Sequence, residues 1–474
     1  MFVEIAADGL CAKTAVEMAG LIASGELSSR EVLAAHLDRI ERINPKVNAL
    51  VTLVPEIAMA QANEADQAHA AGQSLGVLHG LPVAHKDLAL TAGIRTTKGS
   101  PIYADYVPKV NDLIVQRQRD AGAVTVGKTN TPEFGAGSQT FNQVFGATLN
   151  PYDLTRTCGG SSGGAAVSLA SRMLPLCDGS DMGGSLRNPA SFCNVVGLRP
   201  SPGRVPSISS DGPWSPLSVE GPMARTVADV ALYLQAIAGP DDRNPVSIEQ
   251  PGSMFAGALD RDLTGVKVAW SPDCGGLPID SAVRAALSGV PDVLSDLGCD
   301  VVEAWPDLSD AREVFQTLRS WNFELSSGRL LDEHRDQLKD TVIWNIEAAR
   351  DRKMGDHTRA TRLHTALFRR AREFMLEFEF IACPVSQVPP FPVETEWITE
   401  VDGVEMETYI DWMRSCSDIT TTGHPALSMP AAFTPDGLPI GVQFVGRHRA
   451  DRSVLEFGSV FEAATRVGDR LPSL

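Results

Sequence analysis

From His79 to about residue 200, short apolar runs such as "AVTV" and "RMLPLC" alternate with helical stretches such as "DLIVQRQRDAG" and "GGAAVSLAS", with glycine-rich turns between them. This alternation constrains the fold more than any other feature of the chain. It calls for an α/β core, a mixed β-sheet with helices on both faces. The first fifty residues read as helices: "TAVEMAGLIASG" has helical apolar spacing, and Ser28 with Glu31 forms a capping box for "SREVLAAHLDRIERI". A further helix is expected over "PEIAMAQANEADQAHAAG". After a surface connection at residues 238–252 come a strand ("VKVAWS"), a helix ("DSAVRAALSGVPDVLSDLG"), a strand ("DVVEAW") and a long helical region over about 309–380. Strands return at "FIACPV", "ALSMPAAF" and "IGVQFVG", and "DRSVLEFGSVFEAATR" closes the chain as a helix. No repeat and no clean boundary is visible, so residues 1–474 read as one large domain.

The 474 residues carry 41 basic and 59 acidic side chains, a net charge of -18. A chain so acidic shows no electrostatic footprint for nucleic acid or an anionic membrane. Its partner is expected to be a small neutral molecule. The eight cysteines, at 11, 158, 177, 193, 274, 299, 383 and 416, include no C-x-x-C pair and no histidine spacing that completes a zinc site. They read as reduced thiols, and neither metal nor cofactor is expected. "MFVEIAADGLCAKTAVEMAG" has no basic leader region, and no stretch approaches 18 apolar residues. A soluble cytoplasmic protein, monomer or homodimer, is the expectation.

Three patterns in the glycine-rich third carry chemistry. "GAVTVGKT", residues 122–129, satisfies the phosphate-loop pattern, but its "AVTV" is strand text and Pro132 follows too soon for the helix such a loop requires. "GSSGG", residues 160–164, satisfies G-x-S-x-G and would make Ser162 the nucleophile of an esterase-like elbow. The polar "PYDLTRTC" before it is a poor strand for that role, and His357, His364 and His424 stand in uninformative contexts. The third pattern joins "AHKDL", "GGSSGG" and "GSDMGGSLRNPA", which place Lys86, Ser161 with Ser162, and Ser185 in order at spacings of 75 and 24 residues.

These segments closely resemble the amidase signature family, nearest in character to broad-specificity amidases and aryl acylamidases. The resemblance continues through "GAVTVGKTNTPEFGAGS", "FGATLNPYDLTRTCGGSSGG" and "EGPMARTVADVALYLQAIAGP", with a signature core over about 76–245. It is weakest over about 305–415, a variable helical region on the substrate side. It implies that Ser185 attacks an amide carbonyl, Ser161 relays the proton and Lys86 is the base, with Ser162, Asp181 and Arg187 in support. In the family the bridging serine follows a cis peptide. Backbone N–H groups from Met182 through Gly183 and Gly184 to Ser185 would form the oxyanion hole, while Gly135, Ala136 and Asn188 would face the substrate. A lysine can accept a proton only if burial lowers its pKa, and the apolar text around Lys86 fits that need. His85 and Asp87 read as local structure. Cys158, and Asp178 before "GSD", depart from the common pattern.

The implied reaction is hydrolysis of a neutral amide, anilide or carbamate, including urethanase-like or ester side activity. The alternative is the family's transamidation subunit, which takes ammonia from glutamine, although "YIDWMRSCSDITTTGHPALSMP" matches the glutamine segment of that branch poorly. Asn188 lacks the charge that would anchor a carboxylate. Trp321, Phe323, Trp344, Phe391, Trp397, Trp412 and Met413 supply large apolar surface in the divergent stretch, so a substrate with an aromatic or extended apolar group is expected. The prediction is direct. A fluorophosphonate should label Ser185, found by mass spectrometry, and Ser185→Ala should abolish turnover without unfolding the chain. Labelling of Ser162 would revive the esterase elbow.

Overall fold

Among the described residues an 11-stranded sheet draws on nearly the whole length of the chain. The computed structural model describes residues 7–73, 76–208, 212–215 and 217–474; residues 1–6, part of the N-terminal stretch discussed above, lie outside it. In chain order the strands are β1 (Leu50–Leu53), β2 (Pro82–Lys86), β3 (Val124–Thr129), β4 (Leu176–Asp181), β5 (Val196–Arg199) and β6 (Val219–Ala224). They continue as β7 (Lys267–Trp270), β8 (Asp300–Glu303), β9 (Phe380–Pro384), β10 (Ala426–Phe433) and β11 (Pro439–Gly446). In space the order is β1-β3-β2-β4-β6-β5-β10-β11-β9-β7-β8. β2 runs parallel to β3 and β4, and β7 to β8 and β9, while the middle of the sheet from β4 to β11 is antiparallel.

Successive residues of a strand point to opposite faces, and here they enter different apolar clusters. Val83, Leu176 and Ala224 pack with Met18, Val230, Leu234 and Phe457, whereas Ala84, Cys177 and Met223 pack with Leu33, Ile40, Ala62, Val167 and Leu169. One face is therefore covered by helices Ala15–Ala23, Val227–Ile237 and Asp451–Thr465. The other lies under helices Ser29–Val47, Pro55–Ala70 and Gly163–Ala170. Both faces being apolar, the inner strands carry continuous hydrophobic text rather than alternation.

Local signals place several elements well. Ser28 Oγ accepts the Glu31 N–H and Glu31 returns a carboxylate to the Ser28 N–H at 2.8 Å, the expected capping box. Such a cap contributes about 1 kcal/mol. Other elements differ from expectation. The helix expected over "DSAVRAALSGVPDVLSDLG" is two, Ser281–Leu287 and Val290–Asp296, broken at Ser288 and Gly289, with Pro291 in the first turn of the second. In "RMLPLC" pairing begins only at Leu176, after Pro175, which has no N–H to donate. The long helical region resolves into Ala311–His334, Asp340–Arg350 and Met354–Glu377. The phosphate-loop pattern is strand β3, and its Lys128 is buried, donating to the Ala89 carbonyl and to Thr91 Oγ1.

All eight cysteines are buried, and none is in a disulfide. Among the described residues no helix is long and apolar enough to cross a membrane. A buried ion pair fastens the closing helix to the sheet: Arg204 Nε lies 3.0 Å from Asp451 Oδ2, and Asp451 Oδ1 accepts the Ser201 N–H at 2.7 Å. Arg204→Met would leave that carboxylate enclosed and unpaired. It should destabilise the fold by about 3–5 kcal/mol, read as a lower thermal midpoint, with Asp451 the residue to replace in a compensating double variant.

Candidate active site

Lys86 is the last residue of β2, at the point where the strand leaves the sheet between β3 and β4. Its backbone is fixed from the neighbouring strand, because Asp178 Oδ1 accepts the Lys86 N–H at 2.7 Å. The other oxygen of Asp178 contacts His85 Nδ1 at 2.6 Å and accepts from Gln118 Nε2 at 2.9 Å. Burial alone would raise the Asp178 carboxyl, yet His85, Gln118 and the Lys86 N–H bring it below its ordinary value. His85 and Asp178, unassigned from sequence, thus form the clamp that aims the lysine. Asp87 turns the other way and accepts from Thr97.

Lys86 is 2 % exposed. Its Nζ donates to Ser161 Oγ at 2.7 Å, to Ser162 Oγ at 3.0 Å and to Ser180 Oγ at 3.0 Å. Burial lowers its pKa to about 7, against the opposing pull of Asp181 and Asp178. Near neutrality the neutral amine is therefore accessible, and its single lone pair can accept from a neighbouring hydroxyl. Ser162 leads directly into helix Gly163–Ala170, and the Gly160–Ser161 peptide before it is cis. Gly135 borders Ser161 so closely that a Cβ there would stand 3.3 Å from the Ser161 hydroxyl, and its φ of 71° favours glycine.

Ser185 follows β4 in a turn whose shape is fixed by one carboxylate. Asp181 accepts the Gly184 N–H at 2.9 Å, the Leu186 N–H at 3.2 Å and two bonds from the Arg187 guanidinium. Burial works to raise the Asp181 carboxyl, but Arg187 and Arg199 hold it far below the usual carboxylate range. The turn adjoins the serine pair, since the Ser185 carbonyl accepts the Ser162 N–H at 3.2 Å. Gly184 has φ 115°, and a Cβ there would meet the Cys416 side chain at 2.6 Å, so only glycine fits.

Most expected residues converge, with three adjustments. The Gly184 N–H is held by Asp181, so it is withdrawn from the expected oxyanion hole; among the described residues the N–H groups of Met182, Gly183 and Ser185 donate to no protein acceptor. Asn188 does not face outward: it is 3 % exposed, and its Oδ1 accepts the Gly160 N–H at 3.2 Å, bracing the loop that carries Ser161. Ala136 sits in an apolar cluster with Phe323, Leu331 and Val342. Sequence reasoning missed Ser180, Arg199 and the clamp at Asp178, because their partners come from neighbouring strands. The esterase elbow finds no support, since His424 contacts the Thr422 carbonyl and the strand Asp153–Thr157 ends before the glycines.

A cavity of about 340 Å³ is lined by Lys86, Gly179, Ser180 and Met182 from these loops, and by Tyr103, Phe134, Phe323 and Leu330. Of the large residues singled out in the divergent stretch only Phe323 is in its wall. Trp412 and Phe391 pack edge to face in the core, centroids 5.3 Å apart, while Trp321 and Trp344 reach the surface. Large apolar side chains fill cores as readily as pockets, and spacing does not tell the two apart.

The family model described as Amidase matches residues 31–455, running straight through the stretch whose text resembled the family least. An acylamidase of Rhodococcus erythropolis is 35 % identical over 463 residues, 97 % of each chain. A glutamyl-tRNA(Gln) amidotransferase subunit from Acidothermus cellulolyticus is 34 % identical over 488 residues, 96 % of this chain and 95 % of its own. Among solved structures a bacterial aryl acylamidase of the amidase signature family superposes with a TM-score of 0.90 at 27 % identity, covering 96 % of this chain and 98 % of its own. The chain belongs to the amidase family, the amidase signature enzymes, and is a hydrolase that acts on amides.

With the lysine pKa lowered to about 7, the proton-accepting form is lost as pH falls through that value and gained as it rises. A kcat/KM profile should rise with pH to a plateau, with its acidic limb centred near 7. Lys86→Arg should be inactive at every pH, since guanidinium accepts no proton in the usable range.

Proposed function

We propose that the chain hydrolyses the carbon–nitrogen bond of a neutral amide, anilide or carbamate through an acyl-enzyme formed on Ser185. The observation that carries this reading is the buried Lys86 amine within 2.7 Å of Ser161 Oγ, on a loop whose next residue is hydrogen-bonded to Ser185. Ser185 Oγ attacks the carbonyl carbon, and its proton passes to Ser161 Oγ as the Ser161 proton passes to the neutral Lys86 amine. The negative charge gathering on the carbonyl oxygen is met by the unengaged N–H groups of Met182, Gly183 and Ser185, which need no reorganisation to receive it. When the carbon–nitrogen bond breaks, the same relay runs backward and delivers the proton to the leaving amine. Water then attacks the acyl group and gives its proton along Ser161 to Lys86; as the bond to Ser185 Oγ breaks the relay returns that proton to Ser185, and the acid is freed.

The apolar wall of Tyr103, Phe134, Phe323 and Leu330 favours an aryl or extended apolar group. This feature, with the acylamidase and aryl acylamidase relatives, supports the acylamidase-type reading over glutamine hydrolysis. The near-equal identity to an amidotransferase component makes the comparison decisive. For the purified single chain, kcat/KM for an acyl anilide should exceed that for glutamine. A ratio below one would assign the chain to the glutamine-using branch instead.

A further inference from the structure

Glu220 takes part in none of these steps, yet it stands beside them. On β6 it is directly opposite Ser180 of β4, and opposed residues of an antiparallel pair project from the same face with Cβ atoms about 4.5–5.5 Å apart. Ser180 is one of the three hydroxyls on Lys86 Nζ, and Ser180 and Glu220 both line the cavity. Among the described residues Glu220 Oε2 is fully enclosed and has no hydrogen-bond partner. The side chain as a whole is half-buried; an enclosed carboxyl oxygen is ordinarily satisfied, so one left open on a cavity wall is aimed at whatever fills the cavity.

Its surroundings say what that is. Burial first, then the nearby Asp112 and Asp178, push the Glu220 carboxyl well above the usual range. Of the two lysines in the cavity wall, Lys86 is taken up by the three hydroxyls and Lys98 lies over the Tyr103 ring at 5.2 Å, and no ion pair reaches Glu220 among the described residues. A carboxyl that keeps its proton presents an O–H donor and a carbonyl acceptor side by side. The matching surface is one edge of a primary carboxamide or urea, which offers an acceptor and a donor at the same spacing. An ammonium or a carboxylate matches it less well.

We propose that Glu220 is a specificity-determining residue whose carboxyl pairs with a neutral carboxamide or urea edge carried by the substrate away from the scissile bond. This rests on the reading of the cavity as the substrate site of an amide hydrolase. Calorimetric titration of the full chain with 4-aminobenzamide, p-toluidine and 4-aminobenzylamine tests it without requiring turnover. The carboxamide should bind wild type at least tenfold tighter than toluidine. That preference should vanish in Glu220→Leu and Glu220→Met and largely persist in Glu220→Gln, which also offers a donor and an acceptor. Four results would overturn the proposal: no preference or no binding in wild type, a preference unchanged in the apolar variants, a preference lost in Glu220→Gln, or tightest binding of the ammonium probe. Hydrolysis of an aliphatic amide, an anilide and a carbamate is scored separately, so a chain that shows the binding preference but cleaves none of the three refutes the proposed function and leaves the site standing.

Discussion

The site depends on keeping one lysine out of water while surrounding it with carboxylates. Burial lowers the pKa of Lys86, and Asp181 and Asp178 act to raise it. The balance holds because each carboxylate is already engaged: Asp181 lies between Arg187 and Arg199, and Asp178 between His85, Gln118 and the lysine's own N–H. Neither is free to form an ion pair with Nζ, which instead finds only hydroxyls. An ionised carboxylate left unengaged beside Lys86 would favour the ammonium and work against its use as a base.

The same engagement carries the site's requirements deep into the fold. Arg187 reaches past Asp181 to Gln443 Oε1 and Thr420 Oγ1, and Gln443 in turn donates to the Pro384 and Ser415 carbonyls. The turn that presents Ser185 is thus braced from β4, β9, β11 and the helix Arg414–Thr421. A side chain with no contact to substrate can change the reaction by moving that turn.

How much was legible in the sequence follows from how far each cause lies along the chain. Ser161 and Ser185 stand in dense glycine text, where backbone demands exclude most other residues, and Lys86 in a short apolar run unusual for a charged side chain, and so they were readable. The box at Ser28 and Glu31 was readable because both partners lie within three positions. Asn188 was open to either reading, because a short amide serves a substrate or a loop equally well, and its contact with the Gly160 N–H is visible only in the fold. Asp178 and Glu220 owe their meaning to strands 92 and 40 residues from the groups they address, Lys86 and Ser180. No local pattern records those pairings. The break at Ser288 and Gly289 was visible as letters, but apolar periodicity on both sides outweighed it.

The order of strands in the sheet bears on how the molecule comes into being. β5 ends at residue 199, and its far neighbour β10 starts at residue 426. On a ribosome the nucleophile turn emerges more than two hundred residues ahead of Thr420 and Gln443. Contacts so distant in sequence form late, because the loop-closing entropy must be met before they return any stabilisation. Until then the buried arginines and Asp181 have no finished interior to occupy, and the half-made sheet exposes an open edge at β5, the kind of edge that invites pairing with other chains. Catalytic competence in this protein is therefore a late product of synthesis, gained only when the last strands have been inserted into the middle of the sheet.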